Sequence, residues 1–573
     1  MKERNTLYIV LIAFTAAIGG LLLGFDASVI SGAAPFYKPV FGLEDGSILF
    51  GFSVSALIWG CMFGNLTAGP ISDRIGRKPT LLASALLFVV SSAITALAGS
   101  ITVFILGRIL AGVGVGFAIL VAPIFIAEAA PPGKRGWLVS FNQLLIVVGI
   151  SSAYFVNYFI LKHVPNPLTN WRWMMGVEAF PSLIYFLLIL AIPESPRWLV
   201  MRNRAAEAKA IMERVGGQEH AEREYANIVK SLAQNSRPGV FAQARELFSR
   251  RMKLILIIGV GLGIFQQVSG INSVLYYAPM IFESAGNGRN AAFLQASAIG
   301  VVFLVMTLVS MLIIDRLGRK PLLYAGVSMM ALSLLITGFA FWNASYRVDR
   351  TLAETAAQEV FKSEVLSEAS KQNPGLVNSG VVEISGGYAE IVTPGKSAVR
   401  VDLSGPAMQK ALARRQAFVK SVAPVGDRVF SSEFAYRTAI EAAVQRDGSC
   451  DPSAYVSFLL KTGIHIDSML VLVSILGFIA GFSISLGPVM WAMFSEIFPN
   501  RLRGLAISFV GTVNSTTSFV VATLFPVQLS TFGSSATFFI YAVCMLLCLV
   551  FVWKYVIETK GKSLEELEAQ LLR

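Results

Sequence analysis

Charge is scarce in this 573-residue chain: Asp, Glu, Lys and Arg make up 14% of it, against 55% hydrophobic residues. Soluble domains carry about 25% charged residues, so a surface wetted all round is excluded. Cysteine is also sparse. Of four, Cys61, Cys544 and Cys548 fall inside apolar segments and Cys450 stands alone in a loop, so neither a disulfide framework nor a metal site is expected. There are three histidines, His163, His220 and His465, and no nucleophile–base set accompanies them. The chain is therefore not expected to be an enzyme or to hold a cofactor.

What the chain has in abundance is long apolar runs. Mean hydropathy is +0.65. Twelve segments of about twenty residues or more are long enough to cross about 30 Å of hydrocarbon. They lie near 6–30, 47–70, 79–99, 101–128, 137–160, 170–192, 253–282, 291–314, 321–343, 467–494, 505–530 and 533–557. The reading is an all-α integral membrane protein whose first partner is the lipid bilayer. The first segment follows MKER and continues into FDASVISG with no small-residue cleavage site, so it reads as a retained helix. The net charge of +12 is distributed by loop: Arg74, Arg77, Lys78, Lys134, Arg135, Arg316, Arg319, Lys320, Arg501 and Arg503 all fall on alternate loops. This positive-inside pattern predicts a multi-pass protein of the cell (inner or plasma) membrane with both termini cytoplasmic, and no nucleic-acid partner.

One segment is out of character for lipid. Phe265 to Pro279, FQQVSGINSVLYYAP, carries Gln266, Gln267 and Asn272 beside Gly270, Tyr276 and Tyr277. An unpaired amide in hydrocarbon costs several kcal/mol, so these groups are expected to face a protein interior or a wet cavity, with Gly270 loosening the helix. Gluing helices together is the plainer alternative. Three ionisable residues, Asp26, Arg108 and Glu178, also lie inside apolar segments. Charges at such depth are expensive and normally pair, which makes each a functional candidate.

The chain repeats itself. Asp73-Arg-Ile-Gly-Arg-Lys78 recurs 242 residues on as Asp315-Arg-Leu-Gly-Arg-Lys320, whereas Glu128 with Arg135-Gly136 recurs 368 residues on as Glu496 with Arg503-Gly504. The difference of 126 residues marks an insertion in the second half, placed by hydropathy at about 344–466. Five parts follow: 1–192 (a six-helix bundle), 193–252 (a helical connector), 253–343 (the first part of the second bundle), 344–466 and 467–573 (the remainder and tail). Within the insertion, 350–370 reads as an amphipathic helix, GVVEISGGYAEIVTPGKSAVRVDLSG as short strands and PAMQKALARRQAFVKSV as a second helix. It is expected to be a small extracytoplasmic α/β module, acting as a lid, a stabiliser or a surface for an extracytoplasmic partner of unknown identity.

The QQxxGxN…YY run and the paired DRxGRK turns resemble the sugar porter family of the major facilitator superfamily. The resemblance implies two six-helix pseudo-repeats that rock about a central site. It implies a cytoplasmic salt-bridge network of Asp73, Arg77, Glu128, Arg135, Glu194, Arg197, Asp315, Arg319, Glu496, Arg503 and Glu558 that holds the inner gate shut. The family's motif around Glu558, here ETKGKSLEELE, usually begins with Pro where this chain has Ile557. Asp26, Arg108 and Glu178 match the proton-coupling residues of symporting members, so the proton is the expected coupling ion.

A sugar presents hydroxyls and C–H faces, which amides and an aromatic ring can bind. By resemblance the sugar ligands are Gln143, Gln266, Gln267, Asn272, Trp491 and Asn514, with Tyr276 and Tyr277 as the outer gate and Gly487-Pro488 as a hinge. Two positions depart: Phe303 stands where the family often has Asn, and Ser515 where it often has Trp. The expected function is import of a monosaccharide by proton symport, with the chain working as a monomer. The alternatives are a facilitative carrier of a sugar or polyol such as inositol, and a transporter-like sensor.

Overall fold

In the computed structural model, residues 3–44, 46–129, 135–164, 166–234, 240–347, 350–372, 381–385, 388–392, 399–402, 404, 406–422, 429–430, 436, 438–440, 442–443, 459, 463–499, 502–560 and 566 are described. Long apolar runs become helices here because a helix satisfies its own backbone N–H and C=O groups, which hydrocarbon cannot. The first half comprises α1 (Glu3–Val40), α2 (Ile48–Ile75), α3 (Arg77–Leu97), α4 (Ile101–Ala129), α5 (Arg135–His163), and α6 (Asn170–Gly176) with α7 (Ala179–Ala191) sharing one crossing. One unbroken helix was expected over 170–192. The break arises where Pro181, lacking an N–H, cannot bond the carbonyl of Val177, and Glu178 stands in it.

Four short helices connect the halves: α8 (Pro196–Met201), α9 (Ala205–Gly216), α10 (Gln218–Gln234) and α11 (Val240–Leu247). Ser195 caps α8, its Oγ accepting from the N–H of Trp198. The second half begins with α12 (Lys253–Val268), α13 (Ile271–Ser284), α14 (Arg289–Leu317) and α15 (Arg319–Trp342).

The insertion then contributes β1 (Ser345–Arg347), α16 (Arg350–Gln372), β2 (Val381–Ser385), β3 (Tyr388–Val392), β4 (Val399–Asp402), α17 (Pro406–Val422), β5 (Val429–Phe430) and β6 (Ile464–His465). Strands β2, β3 and β4 form an antiparallel sheet in that order, while β1 lies between β5 and β6. Ser345 pairs with His465, so the insertion leaves and re-enters the bundle at one place. Neighbouring ends of this kind let a fold accept extra chain without disturbance.

Membrane helices resume with α18 (Ser468–Ile484), α19 (Pro488–Ile497) and α20 (Arg503–Tyr555). Asp467 caps α18 by accepting from the N–H groups of Met469 and Leu470. Among the described residues, eleven helical stretches are long and apolar enough to cross a membrane. The last of them, α20, has 53 residues and would be about 80 Å long if straight, over twice the hydrocarbon thickness. It holds two crossings, divided at Gly533, whose φ of 78° and ψ of 170° are not helical. The crossings are thus twelve, six in each half.

The two halves are in direct contact. Ser55 on α2 bonds Thr523 on α20 at 2.6 Å, Tyr154 Oη on α5 donates to the carbonyl of Leu275 at 2.6 Å, and Ser151 Oγ donates to that of Gly300 at 2.6 Å. Phe36 meets Phe293 and Phe50 meets Tyr277. These positions lie toward the face that carries the insertion, and one apolar core there spans both halves. Farther down α2 and α20, Thr516 Oγ1 lies 3.9 Å from Met62 Sδ.

Candidate sugar and proton sites

Helices α12 and α13 form one crossing broken at Ser269-Gly270. Gly270 has φ +83°, a left-handed conformation that only glycine adopts without strain. A Cβ there would also run into the ring of Tyr541. Helices α18 and α19 are likewise broken, at Ser485-Leu486-Gly487, ahead of Pro488. A break frees backbone carbonyls, and in an apolar interior each needs a donor.

The amides supply it. Gln266 Nε2 donates to the carbonyl of Leu486 at 2.8 Å, bridging the two breaks. Gln266 Oε1 accepts from Gln267 Nε2 at 3.0 Å and from Asn514 Nδ2 at 2.8 Å. Gln267 Nε2 also donates to Asn514 Oδ1 at 3.1 Å, and Asn514 Nδ2 to the carbonyl of Gly263 at 2.8 Å. Asn272 Nδ2 donates to Gln267 Oε1 at 2.9 Å and to Ser518 Oγ at 2.6 Å. Four predicted ligands therefore form one cluster inside the second half, where they also hold α12, α13, α19 and α20 together. Ser518 and the Leu486 carbonyl were not foreseen; a Gly-Pro break is the signal for the latter.

Trp491 on α19 is 42% exposed, and its indole edge lies beside Gly511, one turn before Asn514 on α20. Gln143 on α5 is half-buried and is not hydrogen-bonded to the amide cluster. Phe303 packs edge-on against Phe482, their centroids 6.1 Å apart. Tyr276 and Tyr277 are buried, Tyr277 where the halves join against Phe50. Tyr277 Oη donates to the carbonyl of Ala522 at 3.3 Å, and its ring lies 5.0 Å from that of Phe525.

Asp26 on α1 and Arg108 on α4 are each 1% exposed and form an ion pair through Arg108 Nη1 and Asp26 Oδ1. Arg108 Nη1 also donates to the Asp26 carbonyl at 3.3 Å. Glu178 is buried within electrostatic reach of both. Tyr276 of the second half lies near enough to feel the same two charges, which places the pair near α13.

The turns form two matching locks. Arg77 pairs with Glu128 at 3.0 Å and with Asp73 at 3.0 Å, and Glu194 accepts from the backbone N–H groups of Arg77 and Lys78 at 3.1 and 3.2 Å. In the second half Arg319 pairs with Glu496 at 2.8 Å, and Glu558 accepts from the N–H groups of Arg319 and Lys320 at 3.0 Å each. Gly76 and Gly318 have φ of +111° and +94°; a Cβ at either would strike the glutamate. Ser195 Oγ donates to Glu128 at 2.5 Å and Thr559 Oγ1 to Glu496 at 2.6 Å. Sequence reasoning missed both hydroxyls, although each directly follows its half's glutamate.

Two expected members stand outside the locks. Arg503 Nε donates to the carbonyl of Phe498 at 3.2 Å instead, and Arg197, half-buried, joins no ion pair among the described residues. A side chain in the short α8 is aimed by the Ser195 cap, which brings Trp198 rather than Arg197 onto the Asp73 turn, its Nε1 donating to the Asp73 carbonyl at 3.1 Å. The side chains of Arg135 and Asp315 lie outside the described residues.

A family model described as "Sugar (and other) transporter" matches residues 12–356 and 449–571. The chain belongs to this family. The stretch that the match leaves out, 357–448, lies within the insertion. The chain is 31% identical to the arabinose-proton symporter of Bacillus subtilis (strain 168), covering 99% of this chain and 96% of that protein. It is 30% identical to the D-xylose-proton symporter of Escherichia coli (strain K12), again over 99% and 96%. The inward open conformation of the xylose transporter XylE from E. coli superposes with a TM-score of 0.67 at 28% identity, covering 98% of this chain and 99% of that one. The fold is accordingly the major facilitator fold, and the protein a multi-pass membrane transporter.

Proposed function

We propose that the protein imports a monosaccharide into the cell by proton symport, working as a monomer through alternating access. The observation that carries this reading is the buried Asp26–Arg108 pair beside α13, the helix that also bears Asn272. Relatives named as sugar–proton symporters, similar along nearly the whole chain, support it. With the basic turns in the cytoplasm, the face that carries the insertion is the outer one. Tyr276 and Tyr277 then lie toward the outer side, and Trp491 toward the inner one.

In the cycle, an outward-facing carrier takes up a proton on Asp26, which neutralises the carboxylate and loosens its hold on Arg108. The sugar displaces amide–amide bonds among Gln266, Gln267, Asn272 and Asn514, with Gln143 contributing from the first half and Trp491 covering the C–H face. Closure of the outer gate by Tyr276 and Tyr277 and release of the two turn locks open the inner side. There the proton leaves, and the Asp26–Arg108 pair re-forms. Glu178 modulates the field at the pair. The groups that bind, couple and gate all belong to one chain.

Uptake into proteoliposomes, screened over hexoses, pentoses and polyols with and without an imposed pH gradient, tests the reading. Uptake of a sugar raised by an inward proton gradient is expected. Uptake indifferent to the gradient identifies a facilitative carrier of a sugar or of a polyol such as inositol.

A further inference from the structure

The first half holds buried polar atoms without partners, of which those on Ser182, Tyr185 and Asn142 have no role in the cycle above. Glu178 Oε1, Ser182 Oγ and Tyr185 Oη each lack a hydrogen-bond partner among the described residues, as do Asp26 Oδ2, Arg108 Nε and Asn142 Oδ1. Their residues are at most 7% exposed. Buried polar atoms are nearly always satisfied by protein or by ordered water, and leaving one unsatisfied costs about 1–3 kcal/mol. Six such atoms within one bundle call for ordered water.

Their placement is regular. Residues 178, 182 and 185 are spaced by four and three, which puts them on one helical face. Tyr185 Oη lies against α1 at Gly19, and the side-chain oxygen of Asn142 lies against the adjacent Gly20. Gly19 precedes Asp26 by seven residues, and Tyr185 follows Glu178 by seven. The antiparallel α1 and α7 thus carry two rungs about 10 Å apart, Asp26 with Glu178 and Gly19 with Tyr185, with Ser182 between them. The lower rung is nearer the DRxGRK turns. Farther along, Ile189 and Ile192 are buried, so the polar stripe ends in an apolar floor.

We infer that the Asp26, Arg108, Glu178, Ser182, Tyr185 and Asn142 side chains enclose an internal water site that accepts the coupling proton from Asp26, apart from the sugar cavity. The inference rests on the symport reading for its role. The step is a simple transfer: the Asp26 carboxyl gives its proton to a bound water, leaving a carboxylate that Arg108 pairs with, and the hydronium charge is shared with Glu178. Ser182 and Tyr185 are positioning residues that hold the water. The other titratable groups facing the pair are Tyr276 from α13 and Tyr37 from α1, and neither is on the stripe.

Two measurements test it. In the wild-type protein, radiolytic footprinting in H218O reads bound water directly, with no reference to coupling. Oxygen labelling of buried Tyr185 on the timescale of bound-water activation is expected; an unlabelled Tyr185 overturns the water site. In Tyr185→Phe and Ser182→Ala, loss of water that solvates the carboxylate should move the pH midpoint of proton-driven sugar uptake up by about one unit, while sugar counterflow stays within about twofold. An unmoved midpoint, or counterflow lost together with uptake, overturns the role of the site. Wild-type protein that labels at Tyr185 yet shows no gradient-driven uptake instead removes the symport reading and leaves the water site standing.

Discussion

The side chain of Gln266 donates to the backbone carbonyl of Leu486 at 2.8 Å, so that one amide joins the breaks of two membrane helices. In hydrocarbon such a bond has no water to replace it. The residue therefore serves the fold and the proposed sugar site together, and replacing it is expected to affect both. In Gln266→Ala the Leu486 carbonyl and the donors on Gln267 and Asn514 lose a partner, at about 1–3 kcal/mol for each left unsatisfied. The expected result is a lower detergent melting temperature, with sugar affinity reduced roughly 5- to 100-fold, from 1.4 kcal/mol per decade. Equilibrium binding of the best substrate and a thermal melt check it. A lower melting temperature with unchanged affinity marks a purely structural amide.

Trp491 gives the complementary case. A core tryptophan costs about 3–5 kcal/mol when cut to alanine, but this one is 42% exposed beside the face of α20 that carries Asn514. Trp491→Ala is expected to melt close to wild type and to bind sugar roughly 3- to 10-fold more weakly, the scale of one lost aromatic face. Tryptophan fluorescence titration is compromised by the substitution itself, so radiolabelled-sugar binding is the measurement of choice.

The two turn locks look alike and respond oppositely to acid. Burial pushes the Glu194 carboxyl above its ordinary value of 4.5, against the N–H groups of Ser195, Lys78 and Arg77. Its contribution to the closed lock is full below that ordinary value and is lost as pH rises through the raised one. Burial also acts upward on Glu558, but the N–H groups of Lys560, Arg319, Lys320 and Thr559 outweigh it and hold the carboxyl below 4.5. Its contribution is full above 4.5 and is lost as pH falls through the depressed value. At neutral pH Glu194→Gln should therefore be more stable than wild type and Glu558→Gln less stable. Both differences should shrink as pH falls, the first toward 4.5 and the second below it. Melting curves of the three proteins from pH 4 to 8 read both signs.

The architecture was legible because a bilayer permits so few solutions: a long apolar run is a helix, and two DRxGRK turns with unequal offsets reveal both the duplication and the inserted chain. Gly270 and Gly487-Pro488 likewise announced the two breaks. The break at Glu178 carried a signal, Pro181, that the hydropathy of 170–192 concealed. The hydroxyls of Ser195 and Thr559 were written as Glu-Ser and Glu-Thr in equivalent places. What could not be read was the pairing of amides far apart in the chain. That Gln267 meets Asn514, and that Arg503 turns to Phe498 rather than Glu496, depends on how helices rotate against one another, which periodicity does not fix.

Coupling itself is tested by the steady-state accumulation ratio in proteoliposomes under an imposed pH gradient or membrane potential, compared between wild type and Asp26→Asn with counterflow as the control. One charge moved through 100 mV is worth about 2.3 kcal/mol, or roughly 50-fold accumulation of a neutral sugar. Wild type is predicted to concentrate its sugar toward that limit, and Asp26→Asn to exchange sugar while only equilibrating it. Accumulation by Asp26→Asn equal to that of wild type would contradict the account.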